Sequence, residues 1–381
     1  MKYPMFKVYV RGEDALENIR EVFSSGYLNE GLQVGEFQRK LERQLGARNI
    51  VMTNSCTSAL TIAYKIAGVG PGSDVVSSPM TCVATNTPIV NLGGNIVWAD
   101  ILPTTGCIDP DSIERSITDE TRAIAFVNWG GAPANLESIN EIGERLHIPT
   151  IQDAAHSFGA TWEGQPISDY TDFTCLSFQA IKHLSTGDGG ALICRDPKDY
   201  VLGRKLKWFG YDRDSAKDLE GEWKGQRWDA DIGSGDVGYK FNMNNVAASI
   251  GLAQIDHIDG ILMAHRNNAE IYNRLFASSD QINPLDIPEA AVSSYWVYTC
   301  VLAGGFQRRD RLLKLLNSEG IGAGLVHLPN DLYSAFRKSR KYLPGTREFA
   351  ASQISIPCGW WLSENDCRHI AERVLTLLKN V

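Results

Sequence analysis

The chain has 381 residues, of which 43% are hydrophobic and 22% charged, which is typical of a folded globular protein and excludes a mainly disordered one. Its 37 Lys and Arg against 45 Asp and Glu give a formal charge of −8. An acidic chain without a long basic run is a poor candidate for binding nucleic acid or an anionic membrane. No apolar run approaches the roughly 20 residues that span a bilayer, and the first residues lack the core of a secretion signal. We therefore expect a cytoplasmic protein.

The eight cysteines are scattered along the chain. They form no C-x-x-C pair and no Cys/His cluster with the spacing of a zinc site. Several lie in apolar, strand-like runs, which favours reduced and buried thiols. The sequence therefore predicts no metal site.

Short apolar strands alternate with helices through the first half of the chain. In chain order the pattern predicts helices at 13–24 and about 36–45, a strand at 50–52, a helix at 57–67, strands at 75–76, 96–99 and 123–127, a helix at 137–146, and strands at 150–152, 174–178 and 191–194. This alternation favours an α/β sheet that is covered by helices on both faces.

The second half of the chain changes character. Residues 212–236 are polar and rich in glycine, which indicates an excursion or a flexible loop. A helical span near 244–276 follows. The last part predicts a strand at 295–302, a helix at 309–316 and a helix at 364–378, with Ser363 as its N-cap. We expect a large domain, 1–255, and a smaller α+β domain, 256–381.

Lys182 follows a predicted buried strand and precedes a glycine-rich turn. A lysine in such a place can be desolvated, which favours its neutral, nucleophilic form. From this segment alone, a surface lysine is an equally good interpretation.

Asp153 closes another apolar strand, and small residues follow it. Ligands of open α/β sheets bind outside the carboxyl ends of the strands, where a carboxylate can hold a cation such as a protonated pyridine nitrogen. Taken alone, an Asp at a helix N-cap is the commoner interpretation.

Residues 54–58 form a turn rich in hydroxyl groups between a strand and a helix. Free N–H groups and the helix dipole make such a point suitable for an anion, although a plain capped helix has the same pattern. Neither a P-loop nor a G-x-G-x-x-G fingerprint is present, which disfavours a nicotinamide dehydrogenase.

Together these segments supply an anion cup, a carboxylate and a lysine, the three groups that pyridoxal phosphate requires. The chain also resembles the DegT-type (DegT/DnrJ/EryC/StrS) family of nucleotide-sugar aminotransferases, which are fold-type I pyridoxal phosphate enzymes. The matching motifs, in order, are 25–31, NSCTSAL (54–60), PMTCVATNTPI (79–89), QDAAHSFGA (152–160), SFQAIKHLSTGDGGAL (177–192), 238–254, 320–329 and 354–367. The resemblance implies an α/β fold with a mostly parallel seven-stranded sheet and a smaller C-terminal domain.

The resemblance assigns the chemistry to individual residues. Lys182 is the implied lysine that forms a Schiff base with the cofactor and shuttles the proton. Asp153 faces the pyridine nitrogen, and His156 lies near the ring hydroxyl. The remaining implied residues are Cys56, Thr57 and Ser177 in the phosphate cup, Asn242 and Lys240 reaching the phosphate of the other subunit, and His327 and Tyr27 on the substrate side. A homodimer with active sites at its interface is therefore implied.

Two residues depart from the family pattern. Cys82 replaces the aromatic residue that commonly stacks on the pyridine ring. A thiol offers less contact area, so either the cofactor affinity differs or a Trp or Tyr from elsewhere covers the ring. Cys56 replaces a glycine in the phosphate turn, and a positive φ there would strain a cysteine.

The resemblance implies that the protein transfers the amino group of L-glutamate to a nucleotide-linked keto sugar, with C4 of a 4-keto-6-deoxyhexose as our expected position, in amino-sugar or surface-polysaccharide synthesis. The nearest alternative is a keto-sugar dehydratase of the same family, which typically has His at the position of Lys182. A further alternative is a non-catalytic regulator or sugar-binding protein, which would need neither Lys182 nor Asp153.

Overall fold

The computed structural model describes residues 1–211, 230, 232 and 236–381, so most of the predicted excursion at 212–236 lies outside the described residues. The helices are α1 (Gly12–Ser25), α2 (Leu32–Leu45), α3 (Cys56–Ile66), α4 (Val83–Asn91), α5 (Pro110–Glu114), α6 (Leu136–Leu146), α7 (Pro197–Leu206), α8 (Asn245–Ile255), α9 (Ile258–Phe276), α10 (Gly305–Ser318), α11 (Pro344–Ser352) and α12 (Glu364–Leu378). The strands are β1 (Ile50–Thr53), β2 (Asp74–Ser77), β3 (Asn95–Trp98), β4 (Thr121–Val127), β5 (Thr150–Asp153), β6 (Thr161–Trp162), β7 (Gln165–Pro166), β8 (Phe173–Ser177), β9 (Gly190–Cys194), β10 (Ile282–Pro284), β11 (Ala291–Val292), β12 (Tyr298–Leu302) and β13 (Gln353–Ile356).

Seven strands form one sheet in the order β1-β9-β8-β5-β4-β2-β3. Strands β3, β2, β4, β5 and β8 pair in parallel, whereas β9 is antiparallel to both β8 and β1. Strands β1, β5, β8 and β9 are buried at every position because their apolar runs are covered on both faces. The predicted mostly parallel seven-stranded sheet is confirmed.

The direction of these strands determines where polar groups meet. Strands β1, β2, β4, β5 and β8 all point the same way, so their carboxyl ends lie along one edge of the sheet. Strand β1 leads into α3 at this edge, and β2 leads into the turn before α4. Strands β5 and β8 end there at Asp153 and Ser177. Helix N-termini and strand ends are thereby gathered at a single edge.

A second core lies in the C-terminal part of the chain. The sheet β10-β12-β13 packs with α10 and α12 around buried residues such as Leu312 and Ile354. Helix α12 begins with the predicted cap, since Ser363 and Asp366 form a capping box. Helix α9 contributes Ile258 to the core of the large sheet and Tyr272 to the second core. The division into 1–255 and 256–381 stays a prediction.

Several elements differ from the sequence prediction, which also lacks α5, α7, α11, β13 and the short strands β6, β7, β10 and β11. Helix α4 was not predicted because it buries polar Thr85 and Asn86 and contains Pro88, which obscures an amphipathic pattern. The helical span near 244–276 is two helices, α8 and α9. The predicted strand at 295–302 begins only at Tyr298, because Tyr295 has a left-handed backbone with φ of 47°.

Within the part of the chain that the structure describes, no single helix has both the length and the apolar character to cross a membrane. Helices α8 and α9 meet those criteria only as a pair, and they are bent by 62° at their junction.

Candidate active site

Lys182 lies in the connection between β8 and β9, at the carboxyl edge of the sheet. Its Nζ is 3.5 Å from the centroid of the Trp296 ring. Burial lowers the pKa of Lys182 to about 8, although the nearby Asp153 carboxylate acts in the opposite direction. A substantial fraction of the amine is therefore neutral near physiological pH, as a nucleophile and a base require.

Asp153 is buried at the end of β5. Its carboxylate accepts hydrogen bonds from Thr85 Oγ1 at 2.6 Å, from the N–H of Ala155 at 3.0 Å and from Cys56 Sγ at 3.8 Å. Burial raises the pKa of Asp153, and these donors, with Thr85 the strongest, lower it. A turn follows Asp153 rather than a helix, so the alternative of a helix N-cap does not apply.

The N-terminus of α3 lies at the same edge. Ser55 caps the helix, with its Oγ accepting the N–H of Ser58 at 3.1 Å, and Cys56 and Thr57 are the first two helical residues. Because Cys56 is helical, the strain that a positive φ would cause does not arise. A Cβ on Gly190 would lie 2.4 Å from the Cys56 nitrogen, so glycine allows the helix to approach β9 closely.

Ser177 stands beside this helix start, because it pairs with Gly190 across β8 and β9. Its hydroxyl accepts the N–H of Gln179 at 3.3 Å. The structure thus brings the three predicted cup residues, Cys56, Thr57 and Ser177, to the ends of neighbouring elements.

Aromatic rings stack beside Lys182. The His156 ring lies 4.0 Å from that of Trp296 and 5.2 Å from that of His327, and the planes are nearly parallel in both pairs. The two histidines also approach at 3.3 Å between their Nε2 atoms. Burial, together with the charge of Lys182, lowers the pKa of His327 to about 3 and places that of His156 well below its usual range. Both rings are therefore neutral hydrogen-bonding groups at physiological pH.

Cys82 precedes α4 and is half-buried. Burial raises the pKa of its thiol, as it does for Cys56, so both sulfurs are protonated at neutral pH. Cys56 Sγ donates to Asp153 at 3.8 Å, and the carbonyl oxygen of Cys82 accepts the N–H of Thr85 at 3.1 Å, so both cysteines lie beside the Asp153 carboxylate.

Lys240, Asn242 and Tyr27 lie toward the β1 side of the edge. Asn242 pairs with Thr53 at the end of β1, and its amide donates to Asn29 Oδ1 at 3.0 Å. Lys240 Nζ contacts Asn242 Oδ1. Tyr27 is 45% exposed and lines a cleft of about 640 Å³. The roles predicted for these three residues stay predictions.

Sequence reasoning missed two residues of the site. Thr85 lies within the motif 79–89, but no local pattern marks it as a partner of Asp153. Trp296 lies in a distant part of the sequence and reaches Lys182 only through the fold. His183, by contrast, turns away from the site, and its Nε2 lies 3.0 Å from the carbonyl oxygen of Ser294.

These groups fit pyridoxal phosphate. Among the described residues, Asp153 receives hydrogen bonds only from neutral donors, so a buried anion is available for a cationic ring nitrogen. The N-terminus of α3 suits a phosphate, and the Lys182 amine suits an aldehyde. The buried Nδ1 of His156 has no hydrogen-bond partner in the described part of the chain. The fold and the site together define a pyridoxal phosphate-dependent enzyme of fold type I.

A family model for the DegT/DnrJ/EryC1/StrS aminotransferase family matches residues 10–375. The chain therefore belongs to this family, as its motifs indicated, and it is an enzyme that uses pyridoxal phosphate.

Individual relatives agree over most of their length. The chain is 28% identical to the spore coat polysaccharide biosynthesis protein SpsC of Bacillus subtilis, over 97% of this chain and 95% of that protein. It is 31% identical to the UDP-4-amino-4-deoxy-L-arabinose–oxoglutarate aminotransferase of Shewanella sediminis, over 82% and 80%. The pyridoxal phosphate form of the sugar aminotransferase Spr1654 from Streptococcus pneumoniae superposes with a TM-score of 0.89 at 26% identity, covering 100% of this chain and 99% of that one.

Proposed function

We propose that this protein transfers the amino group of L-glutamate to C4 of a nucleotide-linked 4-keto-6-deoxyhexose. The observation that carries the proposal is the meeting of a Lys182 amine of lowered pKa with the buried Asp153 carboxylate beside the N-terminus of α3.

Each group of the chain has a defined task. Bound pyridoxal phosphate supplies an aldehyde that carries the amino group and a ring that accepts electrons from the deprotonated carbon. Asp153 holds the proton on the ring nitrogen, and the Thr85 hydroxyl keeps that carboxylate ionised. The N–H groups at the start of α3, with Cys56, Thr57 and Ser177, hold the phosphate.

Lys182 is the proton carrier. Its neutral Nζ takes the proton from the α-carbon of glutamate and later returns a proton to C4 of the sugar. His156 and His327, which are neutral, orient the ring hydroxyl and the substrate by hydrogen bonds.

The names of two relatives support the substrate class. One relative is named as an aminotransferase for UDP-4-amino-4-deoxy-L-arabinose and oxoglutarate, and another as a polysaccharide biosynthesis protein. By analogy we propose a cytoplasmic enzyme of amino-sugar synthesis for surface polysaccharide, such as the O-antigen of lipopolysaccharide. The lysine at position 182 disfavours the dehydratase alternative, and the pairing of Lys182 with Asp153 disfavours a non-catalytic binder.

The test is an amination assay with L-glutamate and a panel of GDP-, UDP- and dTDP-linked keto sugars. We expect 2-oxoglutarate and an amino sugar to form in equal amounts with a 4-keto sugar, as measured by mass spectrometry. Amination of 3-keto sugars alone would contradict the C4 assignment. Release of water without amino transfer would support the dehydratase instead.

We also propose a homodimer in which Lys240 and Asn242 serve the phosphate of the partner's site. These two side chains contact each other beside the β1 end of the edge, and Asn242 is buried there. Tyr27 and the cleft next to it would then face the substrate.

A further inference from the structure

Trp296 owes its position to an unusual backbone. The preceding residue, Tyr295, has φ of 47°, which is rare for an aromatic residue and costs conformational energy. Its carbonyl oxygen lies 2.8 Å from His265 Nδ1, and its N–H donates to Ser293 Oγ at 3.1 Å. Gly131 allows this segment to approach, since a Cβ there would lie 2.7 Å from the Tyr295 nitrogen. Such strain persists where surrounding contacts enforce it, and it is common at active sites.

The indole makes three contacts with the site. Its Nε1 donates to the carbonyl oxygen of Ile181 at 2.8 Å, which fixes the backbone next to Lys182. Its ring stacks on His156, and Lys182 Nζ lies over its face at 3.5 Å. Trp296 is only 4% exposed, so water does not compete for the ring.

We propose that Trp296 is a residue of the catalytic centre that holds the Lys182 amine on its π-face and fixes its position for proton transfer. An ammonium over an indole is attracted by the ring quadrupole, most strongly where water is excluded. The indole therefore stabilises the protonated amine that proton transfer creates, whereas burial favours the neutral amine. It also places an aromatic ring in a site where Cys82 supplies none. The inference rests on the role proposed above for Lys182.

The test measures the protonation of Lys182 in the cofactor-free protein. Trinitrobenzenesulfonate reacts with neutral amines, so the pH dependence of labelling at Lys182, followed by peptide mass spectrometry, gives its midpoint. We expect a midpoint of about 8 in the wild type. In Trp296→Leu it should fall by about one pH unit, a roughly tenfold change in the protonation equilibrium.

Two further variants keep the result interpretable. Trp296→Met fills much of the same volume without a π-face, so it should show the same fall even if the leucine variant does not fold. Trp98→Phe alters another buried tryptophan, on the edge strand β3, and should leave the midpoint unchanged. An unchanged midpoint in folded Trp296→Met or Trp296→Leu would overturn the inference.

The proposed function has a separate readout. Pyridoxal phosphate followed by borohydride should attach covalently to Lys182 of the wild type. Absence of that attachment would contradict the assigned role of Lys182, while the labelling midpoints would still decide whether Trp296 holds the amine.

Discussion

The buried Asp153 carboxylate of the site has a negative charge that its surroundings neutralise only in part. Asp153 and Asp331 are both buried carboxylates, but Asp331 pairs with Arg347, whereas Asp153 receives only neutral donors among the described residues. The neutral donors and the charge of nearby Lys182 offset the burial of Asp153 only in part, so this carboxylate lowers the stability of the empty protein and becomes useful when a cationic group binds. Replacing each carboxylate by Asn should therefore change the stability of the protein in opposite directions.

Asp153→Asn should stabilise the cofactor-free protein at pH 7, because a raised carboxyl pKa means that ionisation opposes folding. Between pH 3.8 and the raised pKa of Asp153, the folded protein keeps a proton on this carboxyl that the unfolded chain has lost. The free energy of unfolding therefore falls as the pH rises through this window, and the cost of holding an ionised Asp153 in the folded protein persists at neutral pH. The gain in Asp153→Asn should therefore shrink in acid. Urea unfolding at neutral and acid pH measures it.

The same substitution should weaken the binding of pyridoxal phosphate and reduce turnover, because the ring nitrogen loses its anionic partner. Asp331→Asn is the matched control, since removing one partner of a buried ion pair destabilises the protein. A loss of stability in Asp153→Asn as large as that in Asp331→Asn would contradict this interpretation.

At the scale of elements, the site depends on how closely α3 approaches β9. Gly190→Ala would place a Cβ 2.4 Å from the Cys56 nitrogen and from the Ser55 carbonyl carbon. Since both are backbone atoms, the helix start must move. We expect a loss of about 2–4 kcal/mol in stability and weaker binding of pyridoxal phosphate. Urea unfolding and equilibrium dialysis measure the two effects.

Gly260→Ala is the control for this substitution. Gly260 lies inside α9 with open space around its Cβ position, so alanine should stabilise the helix by about 0.5–1 kcal/mol and leave cofactor binding unchanged. Equal stability and equal binding of pyridoxal phosphate in the two variants would show that the site does not depend on the close approach of α3 to Gly190.

The sequence allowed the large sheet to be predicted because its buried strands read as short apolar runs that alternate with helices. The sequence also assigned Lys182 and Asp153 to one site, because an anion cup, a carboxylate and a lysine are the groups that pyridoxal phosphate requires. It did not reveal α4, whose buried face carries Thr85 and Asn86. Nor did it reveal the Trp296 contact, which depends on the left-handed backbone at Tyr295. Local patterns thus predicted the strands of the large sheet, whereas α4 and the contacts between distant segments required the fold.

At the scale of the whole molecule, the proposed dimer shares its sites between subunits. A heterodimer of Lys182→Ala and Asn242→Ala subunits, isolated with two different tags, would contain one site with both residues intact and one site lacking both. It should show about half of the wild-type activity, whereas each variant homodimer should be strongly impaired. A steady-state assay of the three species measures this.

The opposite arrangement gives a different result. If Asn242 serves the site of its own chain, neither site of the heterodimer is intact, and its activity would not exceed that of the Asn242→Ala homodimer. A monomer in light scattering would likewise contradict the proposed dimer.

The visible absorbance spectrum of the purified protein with pyridoxal phosphate, before and after L-glutamate, tests directly whether Lys182 binds the cofactor and whether glutamate is the amino donor. We predict a visible band that decreases when glutamate is added, with an equivalent amount of 2-oxoglutarate formed. Lys182→Ala should remain folded and show no such band or glutamate response. The absence of a band in the wild type, or the same glutamate response in Lys182→Ala, would contradict the role assigned to Lys182.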